Sequence, residues 1–280
     1  MNSLDIMFDR QGDGKVAVLQ SFRTSDVPEW IALCMNSVRR WAQSQGWEYH
    51  LLDDRFLDLP PPWVRQRCGR NLYAVTDVAR LIWAQEVLSR DHERVIWADA
   101  DILVFDPDRL AHHMGHVRGH GFARELFLRL VAGGRTEPQW GINNALMVFD
   151  RGDSVLVDYL QACMERLEAV HDRDVPRTAL GPALLQQLDD VCSLKLIEGV
   201  GLFTPAMLGP FATGRDALMR LYFSHCTVPP AAANLCHFMR NATAPAGRPM
   251  FDHLYETAVV RLMREGMRFD TAQGTATQRP

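Results

Sequence analysis

The chain has 280 residues, 47% apolar and 23% charged, with 30 Lys and Arg against 34 Asp and Glu for a formal charge of -4. A mass of 31.8 kDa accommodates one large α/β domain or two small ones, and a pI near 6.2 argues against the broad basic surface of a nucleic-acid binder. No apolar run approaches the ~18 residues needed to cross a bilayer, and the opening MNSLDIMFDRQGDGK lacks the basic and apolar regions of a secretory signal, so the expected location is the cytoplasm.

After a polar lead over residues 1–14, Lys15 to Phe22 is rich in β-branched residues and predicts a strand. Glu29 to Gln45 has apolar residues at helical spacing (Trp30, Ile31, Cys34, Val38, Trp41) and a stop at Gly46. Glu48 to Leu52 resumes as a strand. Strand, helix and strand at these lengths form a βαβ unit with parallel pairing. Asp53 to Arg70 reads as a loop, with Pro60, Pro61 and Pro62 and with Arg55, Arg65, Arg67 and Arg70. It is either an arginine-bearing flap or a solvated connection. Asn71 to Ser89 is a helix apolar on nearly all sides, yet it contains Asp77 and Arg80. Their i, i+3 spacing gives either a local ion pair or, since buried charges are costly, a pair that holds a ligand.

Val95 to Pro107, VIWADADILVFDP, reads as a buried strand running into Asp99 and Asp101. In an extended chain i and i+2 point to the same side, so two carboxylates can converge on one hard cation such as Mg2+ or Mn2+. The alternative is a strand end where Asp99 caps a turn and Asp101 is solvated. Asp108 to Glu137 reads as irregular, and His112, His113, His116 and His120 within it as solvated histidines. Trp140 to Arg151 is a turn feeding a strand, with Asn143 and Asn144 at its entrance. Their amides are suited either to sugar hydroxyls or to turn backbone. Ser154 to His171 predicts a helix, Thr178 to Leu188 a Gly-Pro turn and short helix, and Val191 to Ile197 a strand. Pro205 to Thr213 reads as turns, Leu218 to Cys226 as a last strand, and Phe251 to Gly266 as a helix before a loose tail. The six cysteines show no CxxC pair or zinc spacing and read as free thiols.

In this order the pieces resemble a GT-A glycosyltransferase, closest to the DxD sugar-binding group, glycosyltransferase family 32, with its capsular-polysaccharide enzymes and Golgi mannosyl- and galactosyltransferases. The resemblance is carried by LQSF and the helix to Trp41, WEYHLLDD, TDVARLIWAQEVL, WADADILVF, WGINNALMVFD, LGPALLQQL and His237-Phe238. It implies an α/β fold, a single GT-A (Rossmann-like) domain over residues 15–268 with a mostly parallel sheet flanked by helices, and flexible ends over 1–14 and 269–280. It also implies that Asp99 and Asp101 hold a metal against the diphosphate of a nucleotide sugar, with Asp101 the more direct ligand and His237 completing the shell. An imidazole ligand favours Mn2+ over Mg2+. Asp77 and Arg80 would grip ribose or sugar hydroxyls and phosphate. Where some retaining relatives carry a Gly and a Lys, this chain has Met239, Arg240 and Asn241, which makes Arg240 the candidate phosphate clamp.

The implied reaction moves a hexose from a UDP- or GDP-sugar to a carbohydrate or glycolipid acceptor, in polysaccharide or glycoconjugate synthesis, with peripheral membrane contact where the acceptor is a lipid. Asp101, Arg80, Asn143 and Asn144 are the candidate catalytic group. No residue stands out as a nucleophile, so the expected course is same-face transfer with retention, the leaving phosphate taking the acceptor proton. Two other readings remain: a nucleotidyltransferase, against which stands the lack of a Gly-rich, Lys-bearing loop after the first strand, and a catalytically silent sugar-nucleotide binder.

Overall fold

The computed structural model describes residues 15–131, 135–170, 175–239 and 252–265. The lead over 1–14, the tail and Arg240 lie outside the described residues. β1 (Lys15–Ser21) alternates its apolar residues between two cores. Ala17 and Leu19 enter one, and Val18 enters the other. α1 (Glu29–Ser44) buries Trp30, Ile31, Cys34, Val38 and Trp41, and β2 (Glu48–Leu52) returns parallel to β1, so the expected βαβ unit is present.

Residues 53–70 are more regular than expected. Asp53 caps a 3-10 turn at Asp54–Asp58, and α2 (Pro62–Cys68) starts on a proline, which suits a first helical turn because its missing N–H is unpaired there anyway. α3 (Leu72–Ser89), capped by the Asn71 side chain, leads to β3 (His92–Ala98) and the short β4 (Ile102–Val104). The segment from Asp108 to Glu137, expected to be irregular, contains most of α4 (Pro107–His116), capped by Asp106, and all of β5 (His120–Leu130). β6 (Thr136–Asp150) is a long strand, so Asn143 and Asn144 lie within it and not in a turn before it. α5 (Val155–Ala169) and α6 (Pro182–Cys192) follow as expected, but β7 (Leu196–Ile197) keeps only two residues of the strand expected from Val191.

After β8 (Val200–Leu202), two further expectations are corrected. Pro205 to Thr213 is α7 (Pro205–Ala212), and Leu218 to Cys226 is α8 (Ala217–His225) rather than a strand. Met219, Tyr222 and Phe223 are buried at i, i+3 and i+4, a helical spacing that outweighs the β-propensity of the aromatics. β9 (Ala232–Asn234), a 3-10 turn at His237–Met239 and α9 (Asp252–Glu265) complete the described chain.

The six-stranded sheet has the order β2-β1-β3-β6-β5-β7 and is mostly parallel, with β6 alone running against its neighbours. One face packs under α3, α5 and α6 through Ala17, Leu19, Val95, Trp97, Met147 and Phe149. The other packs on α1 and α4 through Val18, Ile96, Ala98 and Val148. A second sheet, β4-β9-β8, sits beside a third core built from α1, α7, α8 and α9.

Candidate active site

The chain runs from β1 out to β2 and then crosses back to β3 on the other side of β1, so the strand order reverses between β1 and β3. Crevices at the carboxyl ends of strands at such a switch point are where open α/β sheets bind ligands. Here Ser21 and Phe22 from the end of β1 and Asp99 beyond β3 line a cavity of about 260 Å³. Asp77, Arg80, Asp101, Asn143, Asn144 and His237 line it too.

The two aspartates do not follow an extended chain. Ile102 N–H donates to Asp99 O at 3.0 Å, closing a tight turn that hands the chain from the large sheet to the small one. The same-side alternation expected for i and i+2 therefore does not apply, and the two carboxylates, both on the cavity, take different protein partners. Asp99 Oδ1 accepts from Trp97 Nε1 at 2.7 Å and meets Arg80 Nη1 at 3.0 Å. Asp101 Oδ2 instead accepts from the backbone N–H of His237 at 2.6 Å. The main chain of Asp99 is fixed as well: its N–H donates to Ala145 O at 2.7 Å, and its carbonyl accepts from the buried Gln20 Nε2 at 3.1 Å.

Asp77 and Arg80 form the pair their spacing implies, 3.3 Å apart, but inside the protein, where each is 6% exposed. The guanidinium is held by Thr76 O at 3.3 Å, Asn144 O at 2.9 Å and Asp99, with its carbon 5.1 Å from the Trp97 ring centre. Its donors are largely engaged by protein acceptors, so its direct work is to position the carboxylates. Asn144 Nδ2 donates to Asp77 Oδ1 at 2.8 Å and lies 3.3 Å from Tyr159 Oη, which in turn donates to Leu180 O at 2.6 Å. This reach depends on a bulge: Phe122 pairs with Met147, but the next residue, Ala123, pairs with Asn143. Extra residues on β6 re-aim side chains there, as bulges beside active sites commonly do.

Charge in the cavity is unbalanced, with Asp77, Asp99 and Asp101 against Arg80 and Arg177, whose guanidinium lies over the Tyr73 ring. Burial pushes Asp77 up to about 6, against the pull of Arg80 and Asn144. Burial likewise raises Asp99 to about 6, against Arg80 and with Asp101 adding to the rise. Asp99 is 28% exposed on its cavity side, where water tempers that effect, so Asp77 is the clearer case of a desolvated carboxylate. Burial also raises Asp101, opposed by the His237 N–H.

Behind this wall Glu125 on β5 accepts from Asn143 Nδ2 at 2.6 Å and Asn234 Nδ2 at 3.3 Å. Its burial lifts it to about 8. Glu125 and Asn234 were not foreseen in the sequence. The only local signal for Glu125 is a carboxylate inside the apolar stretch HGFARELFLRL. Tyr73, also unforeseen, and Phe238, singled out in the sequence only beside His237, meet edge to face at the cavity with ring centres 6.4 Å apart.

His237 reaches the site because β9 pairs antiparallel with β4, Asn234 opposite Ile102, and Leu235 N–H extends that pairing to Asp101 O at 3.1 Å. Its ring packs against Phe22 and Trp30, at 5.8 and 5.6 Å between centres. Asp99, Asp101 and His237 do not bring three ligand atoms within 4.8 Å of one another. Among the described residues, Glu48, His50 and His92 do.

No family model matches the chain, and no curated protein matches it. Among solved structures it is similar to a glycosyltransferase involved in the glycosylation of the major capsid of PBCV-1, at 12% identity over 86% of this chain and 98% of that one, TM-score 0.45. It is also similar to the galactosyltransferase LgtC in complex with donor and acceptor sugar analogs, at 12% identity over 88% and 95%, TM-score 0.44. A third such structure is mouse xyloside xylosyltransferase 1 in its apo form, at 11% identity over 80% and 98%, TM-score 0.44.

Proposed function

We propose that the protein is a metal-dependent glycosyltransferase that moves a hexose from a nucleotide-diphosphate sugar to an acceptor hydroxyl with retention. One observation carries this reading: three carboxylates, two of them paired with a buried Arg80, line a cavity at the switch point of the sheet in which Arg177 is the other arginine. A pocket of that charge repels a diphosphate unless a divalent cation joins them, and Asp99 and Asp101 offer the hard oxygen ligands such an ion takes. His237, on the same cavity, is the candidate third ligand and favours Mn2+ over Mg2+. The ion supplies Lewis-acid stabilisation of the charge that develops on the leaving diphosphate.

The chain's own residues do the rest. Arg80, locked between Thr76, Asn144 and Asp99, fixes the carboxylates and places a positive charge behind them. Asp77 and the amides of Asn143 and Asn144 order the wall against which sugar hydroxyls bind. Tyr73 and Phe238 provide apolar ring faces on which an acceptor sugar can lie. Arg240, outside the described residues, remains the candidate phosphate clamp. The segment after β1, FRTSDVP, has no glycine to cradle phosphates, which favours glycosyl over nucleotidyl transfer. The setting that fits is cytoplasmic synthesis of a polysaccharide or glycoconjugate.

The test is nucleoside diphosphate release from UDP- and GDP-hexoses with Mn2+, with the product anomer read by NMR. Wild type should turn over at least one donor with retained configuration. Asp101→Ala should abolish turnover and the Mn2+-dependent rise in melting temperature while keeping the wild-type circular dichroism. The proposal fails if no donor is bound or turned over, or if Asp101→Ala behaves as wild type.

A further inference from the structure

We propose a second, structural metal site at the far end of the sheet, where Glu48 and His50 of β2 and His92 of β3 hold a Zn2+ ion. These strands do not pair with each other; β1 lies between them, with the methyl of Ala17 opposite Glu48 and Lys15, whose ammonium pairs with Asp91, opposite His92. Even so, Glu48 Oε2 lies 3.0 Å from His92 Nε2 and 3.3 Å from His50 Nε2, and the three ligand atoms all fall within 4.8 Å of one another. In a tetrahedral site with bonds of about 2.0 to 2.1 Å, neighbouring ligand atoms stand about 3.3 Å apart. Two of the three edges are already close to that length.

A hydrogen bond from His92 to Glu48 explains one of these contacts and leaves the others unexplained. Nδ1 of His92 is buried with no hydrogen-bond partner and His92 as a whole is 6% exposed, while Nε2 of His50, on a half-exposed ring, meets Glu48 Oε2 at 3.3 Å without hydrogen-bond geometry. Buried nitrogens of this kind are costly unless something satisfies them. One cation bound through both Nε2 atoms and Glu48 gives the His50 nitrogen a directed partner in place of that poorly aligned contact. Asp91 Oδ1 stands 3.5 Å from His92 Nδ1, too far for a good bond but placed to receive that N–H. A carboxylate behind a ligating histidine fixes its tautomer and orientation.

Two imidazoles and a carboxylate suit Zn2+ better than Mg2+ or Ca2+, and three protein ligands leave a fourth position for water. The site opens β2 and β3, whereas Asp99 follows the end of β3, so at strand rise the two centres are roughly 20 Å apart. β2 is an edge strand paired only with β1, and an ion shared with β3 would tie it across β1. The expected effect is on stability.

The full chain, stripped by chelation, is titrated with Zn2+ alone by calorimetry and thermal unfolding, and with Co2+ for the visible bands of a tetrahedral ion. Asp101→Ala should bind one Zn2+ per chain with a higher melting temperature, and wild type at least one. Glu48→Gln and His50→Ala, at positions open to solvent, should lose that ion while matching the metal-free wild type in circular dichroism. Asp91→Asn should weaken affinity by ~10-fold. The site is refuted if Zn2+ leaves the wild-type melting temperature unchanged, or if His50→Ala and Glu48→Gln respond as wild type does. It is also refuted if Asp101→Ala abolishes the response, which would place the ion in the cavity.

Discussion

Asp77→Asn removes one negative charge from the cavity wall with almost no change of shape. The wild-type carboxyl titrates at about 6 because burial penalises its ionised form more than Arg80 and Asn144 favour it. Its pKa is therefore higher folded than unfolded. The stability linked to that extra proton is complete below the unfolded value and is lost as pH rises through about 6. The full effect is on the order of 3 kcal/mol, with a little under half of it lost between about pH 5 and pH 7. The amide keeps an oxygen to accept from Asn144 and has no charge to desolvate, and Arg80 still pairs with Asp99. The variant should therefore be more stable than wild type at pH 7 by up to about 3 kcal/mol, with a smaller gain at pH 5, while donor turnover falls. Urea unfolding followed by circular dichroism at the two pH values measures both quantities. A variant less stable than wild type at pH 7, or a gain equal at the two pH values, would refute burial of this carboxylate as the destabilising factor.

Three further outcomes follow from the same geometry. Glu125→Gln should gain about 1 kcal/mol on wild type between about pH 7 and pH 9, since burial lifts the wild-type carboxyl to about 8 and its proton-linked stability is lost as pH rises through that value; a flat difference in urea unfolding would contradict this. Tyr159→Phe removes the hydroxyl that joins Leu180 O to Asn144, and should cost about 1 to 2 kcal/mol in urea unfolding together with a fall in turnover. Gly181→Ala would place a Cβ 3.0 Å from Asn144 Oδ1, pushing that amide off Asp77, so kcat should fall ~10-fold with little change in unfolding midpoint; unchanged kcat would detach Asn144 from the chemistry.

The βαβ opening, α3, α5, α6 and α9 were legible because their periodicity is local: a stripe at i, i+3 and i+4, or alternation around one strand, needs no knowledge of the partner. α7 and α8 were misread for an equally local reason. Pro205, Gly209 and Pro210 punctuate one, and the aromatics of the other carry β-propensity, until burial against α1 and α9 selects the helix. β6 was cut short because the residues before Trp140 are polar and exposed. They are strand only because β5 pairs with them.

The site divides along the same line. Asp77 and Arg80 could be found from charge inside an apolar helix, and Asp99 and Asp101 from charge after a buried strand; all four reach one cavity. Their mutual geometry was not legible. It depends on a turn between two sheets, and the sequence around Asp99 fits an extended strand equally well. Glu125, Asn234 and the His50–Glu48–His92 cluster are a harder case, since each is assembled by strands distant in the chain. Glu48 and His50 share a strand face by their spacing alone, but His92 joins them only because β3 crosses back past β1. That same crossover opens the crevice beside Asp99, so one topological event places the cavity at one end of the sheet and brings Glu48, His50 and His92 together at the other.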